Sequence, residues 1–332
     1  MALPLYTLGL LYLLLITLIW SLSSLLVSST LPTFPSPLLT WLSTIPFILL
    51  LKKEQLVTPD WGIVKLGAKL GATWYLSNLF YYLSLQKTSV TSSTVLSSSS
   101  SLFTYLIETR LNKDSYEFKK VLAVLFVIAG AVVSATKGDR SENKSGLEGD
   151  LYGLLSALGY SVYTVIVKRY CKDEETEEGE EVYEKVRGDS IDDTLESAEE
   201  TVSAETTIKV ETTTTAKSEE KYNLRQTLGY LGLTTSSLGL FIIPYYAIVG
   251  TNVTLTWTIL GSIVYVAIID NLISDFLWAK SVVYTNATVA TVGLAMTVPF
   301  AVVIDWGEGG GVGWGRVVGS GMVLLGFVGI NV

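Results

Sequence analysis

The stretch TSVTSSTVLSSSSSLFTYLIE, Thr88 to Glu108, lies over TNATVATVGLAMTVPFAVVID, Thr285 to Asp305, without a gap at a constant offset of 197 residues. Thr88, Thr91, Thr94, Val95, Phe103 and Ile107 meet Thr285, Thr288, Thr291, Val292, Phe300 and Ile304, and both stretches close on an acidic residue. At the same offset Asn78 meets Asp275, each ten residues before the shared Thr. At an offset of 196, Lys120, Val121 and Gly130 meet Arg316, Val317 and Gly326. At an offset of 140, Gly9, Tyr12, Leu14, Ser21 and Val27 meet Gly149, Tyr152, Leu154, Ser161 and Val167, with Trp20 over Tyr160. The jump between offsets needs roughly 57 inserted residues in the later copy, and a polar acidic stretch sits there, near Cys171 to Arg225. The chain reads as one unit used twice, the sequence trace of a transporter built from internal repeats.

Composition fixes the solvent. Hydrophobic residues make up 49% of the chain and charged residues only 16%, against about 25% charged in soluble domains. Apolar runs near the length needed to cross a bilayer core fall near Leu5 to Val27, Ser36 to Leu51, Val64 to Leu85, Val90 to Ile107, Val121 to Thr136, Leu151 to Val167, Gln226 to Val249, Trp257 to Leu277, Val282 to Ile304 and Val312 to Asn331. The expected fold class is an all-α integral membrane protein with ten transmembrane helices arranged as two inverted five-helix repeats. Residues 1–137 form the first repeat and 149–170 the first helix of the second. Residues 171–225 form an acidic cytosolic loop, and 226–332 hold the remaining four helices. An odd number of spans per copy makes the second copy enter from the opposite side, which places a substrate site near the bilayer midplane between copies.

The net charge of -8 is local. Cys171 to Lys221 holds 18 acidic and 6 basic residues, so the rest of the chain is positive. Rich in Glu, Thr, Asp and Ser and poor in large apolar residues, this loop is expected to be disordered. One Cys and no His exclude a disulfide framework and the common zinc and Cys-His catalytic arrangements, so no cofactor or metal is expected. The first apolar run has no basic residue before it and reads as a retained span, not a cleaved signal.

Basic residues set the orientation. With a cytosolic N-terminus that side receives Lys52, Lys53, Lys65, Arg110, Lys113, Lys119, Lys120, Lys168, Arg169, Lys172, Arg225 and Lys280, while Lys87, Lys137, Arg140, Lys144 and Arg316 face away. Both termini and the acidic loop are therefore expected in the cytosol. Sequons at Asn143 and Asn252 then fall on the non-cytosolic side.

The run NLFYYLSLQKTSVTSSTVLSSSSS, Asn78 to Ser101, with Phe103 and Thr104 after it, resembles the third and fourth helices of the F-type subgroup of the solute carrier 35 family, within the drug/metabolite transporter superfamily (EamA-like). SDFLWAKSVVYTNATVATVGLAMTVP, Ser274 to Pro299, is similar to the same subgroup's second-half signature, and Gly149 to Arg169 to the start of its second half. The resemblance spans nearly the whole chain outside the acidic loop. It implies ten helices, cytosolic termini and transport of an organic solute across an internal membrane such as the vacuole, Golgi or endosome. The motifs by which nucleotide-sugar members hold the nucleotide are not seen in this chain.

An ionisable group inside a span costs roughly 2.5 to 3.5 kcal/mol on insertion scales, so it needs a reason to be there. Asp270, Asp275 and Lys280 lie in the eighth span. On a helix Asn271, Asp275 and Trp278 are spaced i, i+4, i+7 and share a face, which would aim an amide, a carboxylate and an indole into one cavity. Asp275 is the first candidate for a cationic group or a coupling proton, with Asp270 as a second proton site. The competing role for Asp275 is helix packing. Lys280 either contacts substrate or snorkels. Asn78 holds the equivalent place in the third span, with Tyr75 and Tyr82 beside it as flat surfaces for a ring or a cation, or as a membrane-interface belt. Ser93 and Ser97, at i and i+4, are the hydroxyls of the fourth span best placed for substrate, most of the others serving close packing. Trp20 and Tyr160 are gate or packing aromatics, Tyr163 is a further substrate-binding candidate, and Pro46, Pro244 and Pro299 are expected to kink their helices. The Gly-rich stretch Gly307 to Gly315 lacks a phosphate-cradle pattern.

The expected function is secondary active transport of a polar organic solute, a cationic vitamin such as thiamine suiting the carboxylate and tyrosines, by alternating access. A nucleotide sugar is the alternative substrate. A non-transporting receptor or adaptor acting through the acidic loop is the alternative class. No nucleophile-base pair points to an enzyme. Expected partners are the solute, the lipid bilayer, a homodimeric copy and a sorting adaptor at Tyr183 to Val186, with no nucleic acid.

Overall fold

The computed structural model describes residues 5–30, 34–87, 96–113, 117–136, 147–173, 221–250, 256–307 and 313–331. Ser93, both sequons, the glycines at 309–311 and the sorting motif Tyr183 to Val186 lie outside the described residues.

The first half contains α1 (Leu5–Thr30), α2 (Ser36–Thr44) continuing as a tighter 3-10 turn over Ile45–Leu50, the short α3 (Lys53–Val57), α4 (Trp61–Lys87), α5 (Ser100–Asn112) and α6 (Phe118–Thr136). Then come α7 (Leu147–Tyr170) and a strand β1 (Cys171–Lys172), which pairs in parallel with β2 (Tyr222–Asn223). From there the chain runs through α8 (Leu224–Ser236), α9 (Gly239–Val249), α10 (Trp257–Tyr265), a π-helical stretch over Val266–Ile273, α11 (Ser274–Tyr284), α12 (Ala287–Leu294), α13 (Thr297–Gly307) and α14 (Trp314–Asn331).

The protein is an all-α membrane protein. Among the described residues four helical stretches are long and apolar enough to cross a bilayer: Leu5–Ser23, Leu147–Tyr170, Leu224–Val249 and Trp257–Tyr284. Ser36–Leu50, Ala287–Phe300 and Val317–Ile330 are shorter apolar helices. Their outward residues include Leu11, Leu15, Leu240, Phe241, Ile248 and Leu325, which is the pattern of helices solvated by lipid.

Proline explains where helices break. Pro46 has no N–H for the carbonyl of Leu42, and the chain tightens there, with Ile45 N–H on that carbonyl instead. Pro299 has none for Ala295; three-residue hydrogen bonds from Ala295, Met296 and Val298 replace the α pattern and part α12 from α13. Both prolines therefore stand in the first turn of a helical segment, where a missing N–H costs least. Pro244 lies inside α9.

Two boundaries differ from those expected. The eighth span runs on to Tyr284, and the chain turns at Thr285 and Asn286, whose side chain accepts from Val289 N–H to cap α12; Val282 thus ends one helix and does not begin the next. Both ends of the acidic segment belong to the fold. Cys171 is buried, β1 pairs with β2, and Asn223 caps α8 by accepting from Gln226 N–H.

Small residues set the packing. α6 lies against α14 where a Cβ on Gly130 would sit 2.7 Å from the Gly319 carbonyl and one on Gly326 2.4 Å from Val127. α4 packs on α7 across Gly159, whose Cβ would meet Ser77 Oγ at 2.4 Å, and on α8 across Gly67 and Gly71. α1 packs on α11 across Gly9. Backbones this close gain dispersion contacts that lipid tails do not replace.

Candidate functional site

A cavity of about 210 Å³ opens between the two halves of the chain. Its wall takes Trp20, Ser21, Ser23 and Val27 from α1, Ser77, Asn78, Tyr81, Tyr82 and Leu85 from α4, and Ser97, Ser98 and Ser100 at the start of the α5 segment. It also takes Ser156, Ala157 and Tyr160 from α7, Asp270 and Asn271 from the π-helical stretch, Asp275 from α11, and Leu294 and Thr297 from the break between α12 and α13. The α1 and α4 residues come from the C-terminal halves of those helices and the α7 residues from its middle. The cavity therefore lies toward the end of the bundle at which α1 and α4 finish.

The π-helical stretch positions the acidic wall. A widened turn leaves backbone carbonyls short of regular partners, and side chains fill the gap. Asn271 Nδ2 donates to the Val266 carbonyl, five residues back, at 2.8 Å. The Asp270 carbonyl accepts from Trp20 Nε1 at 3.1 Å and from the Ser274 hydroxyl, and Trp20 Nε1 also lies 2.9 Å from Ser274 Oγ. Asp275, 3% exposed, accepts from Trp74 Nε1 at 2.6 Å. The Trp74 carbonyl in turn accepts from Asn78 Nδ2 at 3.0 Å.

An aromatic group forms the inner side of the cavity. Trp20 and Tyr160 meet edge to face with centroids 6.4 Å apart, and Trp278 sits 5.6 Å from each. Trp278 is fully buried beneath them and does not reach the wall. Asn271 and Asp275 share the cavity face as the i, i+4 spacing predicts, while Trp278 is covered by Trp20 and Tyr160.

Asp270, Asn271, Asp275, Asn78, Tyr82, Ser97, Trp20 and Tyr160 are thus brought together on one wall. Tyr75 is not among them; its hydroxyl donates to the Pro37 carbonyl at 3.2 Å. Tyr163 is buried behind Tyr160, 5.8 Å away. Trp74 was not a sequence candidate, although it lies four residues before Asn78 and meets Asn271 at the 197-residue offset.

Lys280 lies at the other end of the bundle and does not snorkel. Its Nζ pairs with Asp173 Oδ2 at 3.1 Å, with the two side chains 14% and 8% exposed, and it stands 5.7 Å from the Phe276 ring and 5.8 Å from that of Tyr284. The Tyr284 hydroxyl donates to the same carboxylate oxygen, and its ring faces Tyr12 at 6.3 Å. Nearby, Lys168 Nζ donates to the carbonyls of Val283 and Thr285 at 2.8 and 2.7 Å. Glu108 Oε2 accepts from Thr288 N–H at 3.2 Å and from its hydroxyl at 2.5 Å. These charged and polar side chains tie α5, α7, β1, α11 and α12 together at the end away from the cavity.

A helical membrane bundle with a polar cavity between its halves is an architecture that known membrane transporters share. Residues 7–136 match the EamA-like transporter family. The thiamine-repressible mitochondrial transport protein THI74 of Saccharomyces cerevisiae is 26% identical over 271 residues, covering 78% of this chain and 60% of that protein. Solute carrier family 35 member F5 of Bos taurus is 24% identical over 238 residues, covering 70% of this chain and 37% of that one. A vacuolar membrane protein of S. cerevisiae is 24% identical over 259 residues, 73% of this chain and 54% of its own length. The chain thus spans less than two thirds of each of these relatives. A solved crystal structure superposes with a TM-score of 0.64 at 15% identity, over 97% of this chain and 96% of the other, and shares the fold. The chain is therefore similar to EamA-like transporters over residues 7–136 and, over a longer stretch, to a solute carrier 35 member and to yeast membrane transport proteins.

Proposed function

We propose that this chain is a secondary active transporter, not an enzyme, that moves an organic cation across an internal membrane by alternating access. The observation that carries this reading is the charge of the cavity wall: among the described residues Asp270 and Asp275 line it, and no Lys or Arg does. In a membrane interior such carboxylates are costly, and a cation or a proton supplied from the cavity offsets that cost. Trp20, Tyr81, Tyr82 and Tyr160 on the same wall provide π faces that attract a cation or stack on a ring. An anionic nucleotide sugar would meet two acidic side chains with no basic one to receive it. A vitamin with a cationic ring, such as thiamine, suits the wall.

Ten spans in two inverted repeats fit the packing. α1 lies on α11 and its repeat counterpart α7 lies on α4, the same contact with the halves exchanged, while α6 meets its own counterpart α14. The polar ties around Lys280 close one end and the cavity reaches toward the other, as expected for one of two states in an alternating-access cycle. With cytosolic termini, the closed end is cytosolic.

Uptake into liposomes holding the purified full chain tests the reading. Saturable uptake of an organic cation, lost in Asp275→Asn while the melting temperature is kept, is expected. Tight exchange of anionic nucleotide sugars, with cation transport untouched by Asp275→Asn, would sink it.

A further inference from the structure

Three hydroxyls of cavity-lining residues have no hydrogen-bond partner among the described residues. Ser97 Oγ, Ser100 Oγ and Tyr160 OH are each buried and make no hydrogen bond among the described residues, yet all three residues line the cavity. The serines beside them behave differently. Ser99 Oγ donates to the Leu96 carbonyl at 2.5 Å and Ser101 Oγ to the Ser98 carbonyl at 2.8 Å, and neither lines the cavity. Ser161, next to Tyr160, donates to the carbonyls of Ser100 and Ala157 at 2.9 and 2.7 Å, which fixes α7 against the α5 segment. A serine on a helix readily bonds back to its own backbone. Ser97 Oγ and Ser100 Oγ make no such bond, and Tyr160 adds a third unpartnered hydroxyl from the neighbouring helix, all three oxygens shielded from solvent just behind the cavity surface in this state. A buried polar group without a partner is unfavourable, so three in one wall call for a group that comes and goes.

The carboxylates come from other elements of the same wall. Asp270 and Asp275 belong to the π-helical stretch and α11, held by Trp20 of α1 and Trp74 of α4. The cavity wall therefore has an acidic part and a neutral hydroxyl part.

We propose that Ser97, Ser100 and Tyr160 hold an uncharged hydrogen-bonding group of the substrate, such as a hydroxyl, amide or ring nitrogen, while the carboxylates hold its cationic centre. The transported class is then a cation that also carries a neutral polar group, and not a bare alkylammonium or an inorganic cation. This rests on the cation reading above. A site built to hydrogen-bond a substrate group discriminates strongly against the analogue lacking it, because its own polar atoms stay unpaired.

Binding of paired cations to the purified full chain tests it. Choline is set against propyltrimethylammonium, which has a methyl in place of the hydroxyl. Thiamine is set against 3-benzyl-4,5-dimethylthiazolium, which has a phenyl in place of the aminopyrimidine and a methyl in place of the hydroxyethyl group. The polar member of at least one pair should bind about tenfold or more tightly. Ser97→Ala/Ser100→Ala and Tyr160→Phe should each shrink that preference and leave the apolar member's affinity unchanged. The same variants should melt no lower than the wild type without ligand, since each removes an unpaired buried hydroxyl. If the cations bind but the members of each pair are indistinguishable, or the preference survives all three substitutions, the hydroxyl part of the wall is not a recognition surface and this inference falls alone. If none of the four cations binds, the cation reading falls and takes this one with it.

Discussion

Trp74 and Asp275 are 201 residues apart in sequence and joined by a 2.6 Å hydrogen bond from the indole to the carboxylate. The Trp74 carbonyl also holds the amide of Asn78, so one residue stands between the repeat-related pair Asn78 and Asp275. Trp74→Phe should keep the contact with the Phe47 ring, now 5.7 Å away, and remove the donor. A stability loss of about 1–3 kcal/mol is expected for the carboxylate left short of a partner. Adding Asp275→Asn should restore the melting temperature without restoring cation uptake. A Trp74→Phe protein as stable and as active as the wild type would show that the bond carries nothing.

The Lys280–Asp173 pair should behave as a buried ion pair. Lys280→Met leaves Asp173 uncompensated and should destabilise the fold by about 3–5 kcal/mol, while Lys280→Met with Asp173→Asn should recover most of it. Thermal melting of the two single variants and the double variant gives the coupling directly. Additive losses would mean that the two charges do not sense each other.

Cys171, the single cysteine of the chain, is 1% exposed, and burial pushes its thiol up to about 12. Thiolate is the reacting form, so a maleimide at pH 8 should leave the folded protein unmodified and label it promptly after denaturation. Cys171 lies two residues before Asp173. In Asp173→Asn the labelling rate should rise, and mass spectrometry of the labelled fraction would report how often this end of the bundle opens.

Gly130→Leu and Gly326→Leu should each separate α6 from α14 and lower the yield of folded protein, since backbone or Cβ atoms lie within 3 Å of where a side chain would start. Gly321→Ala, with nothing within 4 Å, is the matched control. Equal yields for the three variants in detergent size-exclusion profiles would remove the close packing from the account.

Sequence alone reached the acidic wall because a repeat leaves a register. Asn78 and Asp275 could be paired by offset, and both stand on the cavity. The register also holds Trp74 over Asn271, but an indole facing an amide carries no family likeness of side chains to draw the eye. The π-helical stretch left no compositional mark, since a widened turn is a matter of tertiary hydrogen bonding, and nothing in the sequence shows that Trp20 and Tyr160 cover Trp278. Asp173 was hidden for the opposite reason, as one carboxylate among many in an acidic run, with nothing local to single it out. The helix ends at Pro46 and Pro299 were legible in principle, because each proline names the carbonyl it fails to bond.

The parallel pairing of Cys171 with Tyr222 and Lys172 with Asn223 makes a junction where the polypeptide departs from and rejoins the bundle side by side. The entropy of closing a loop grows only slowly with its length, so with the ends clasped in this way the membrane core is insulated from whatever lies between residues 173 and 221. Insertions and deletions there can accumulate at little thermodynamic penalty. The same junction is a natural port for a reporter domain, provided the graft keeps enough residues to cross from the end of one strand to the start of its parallel neighbour.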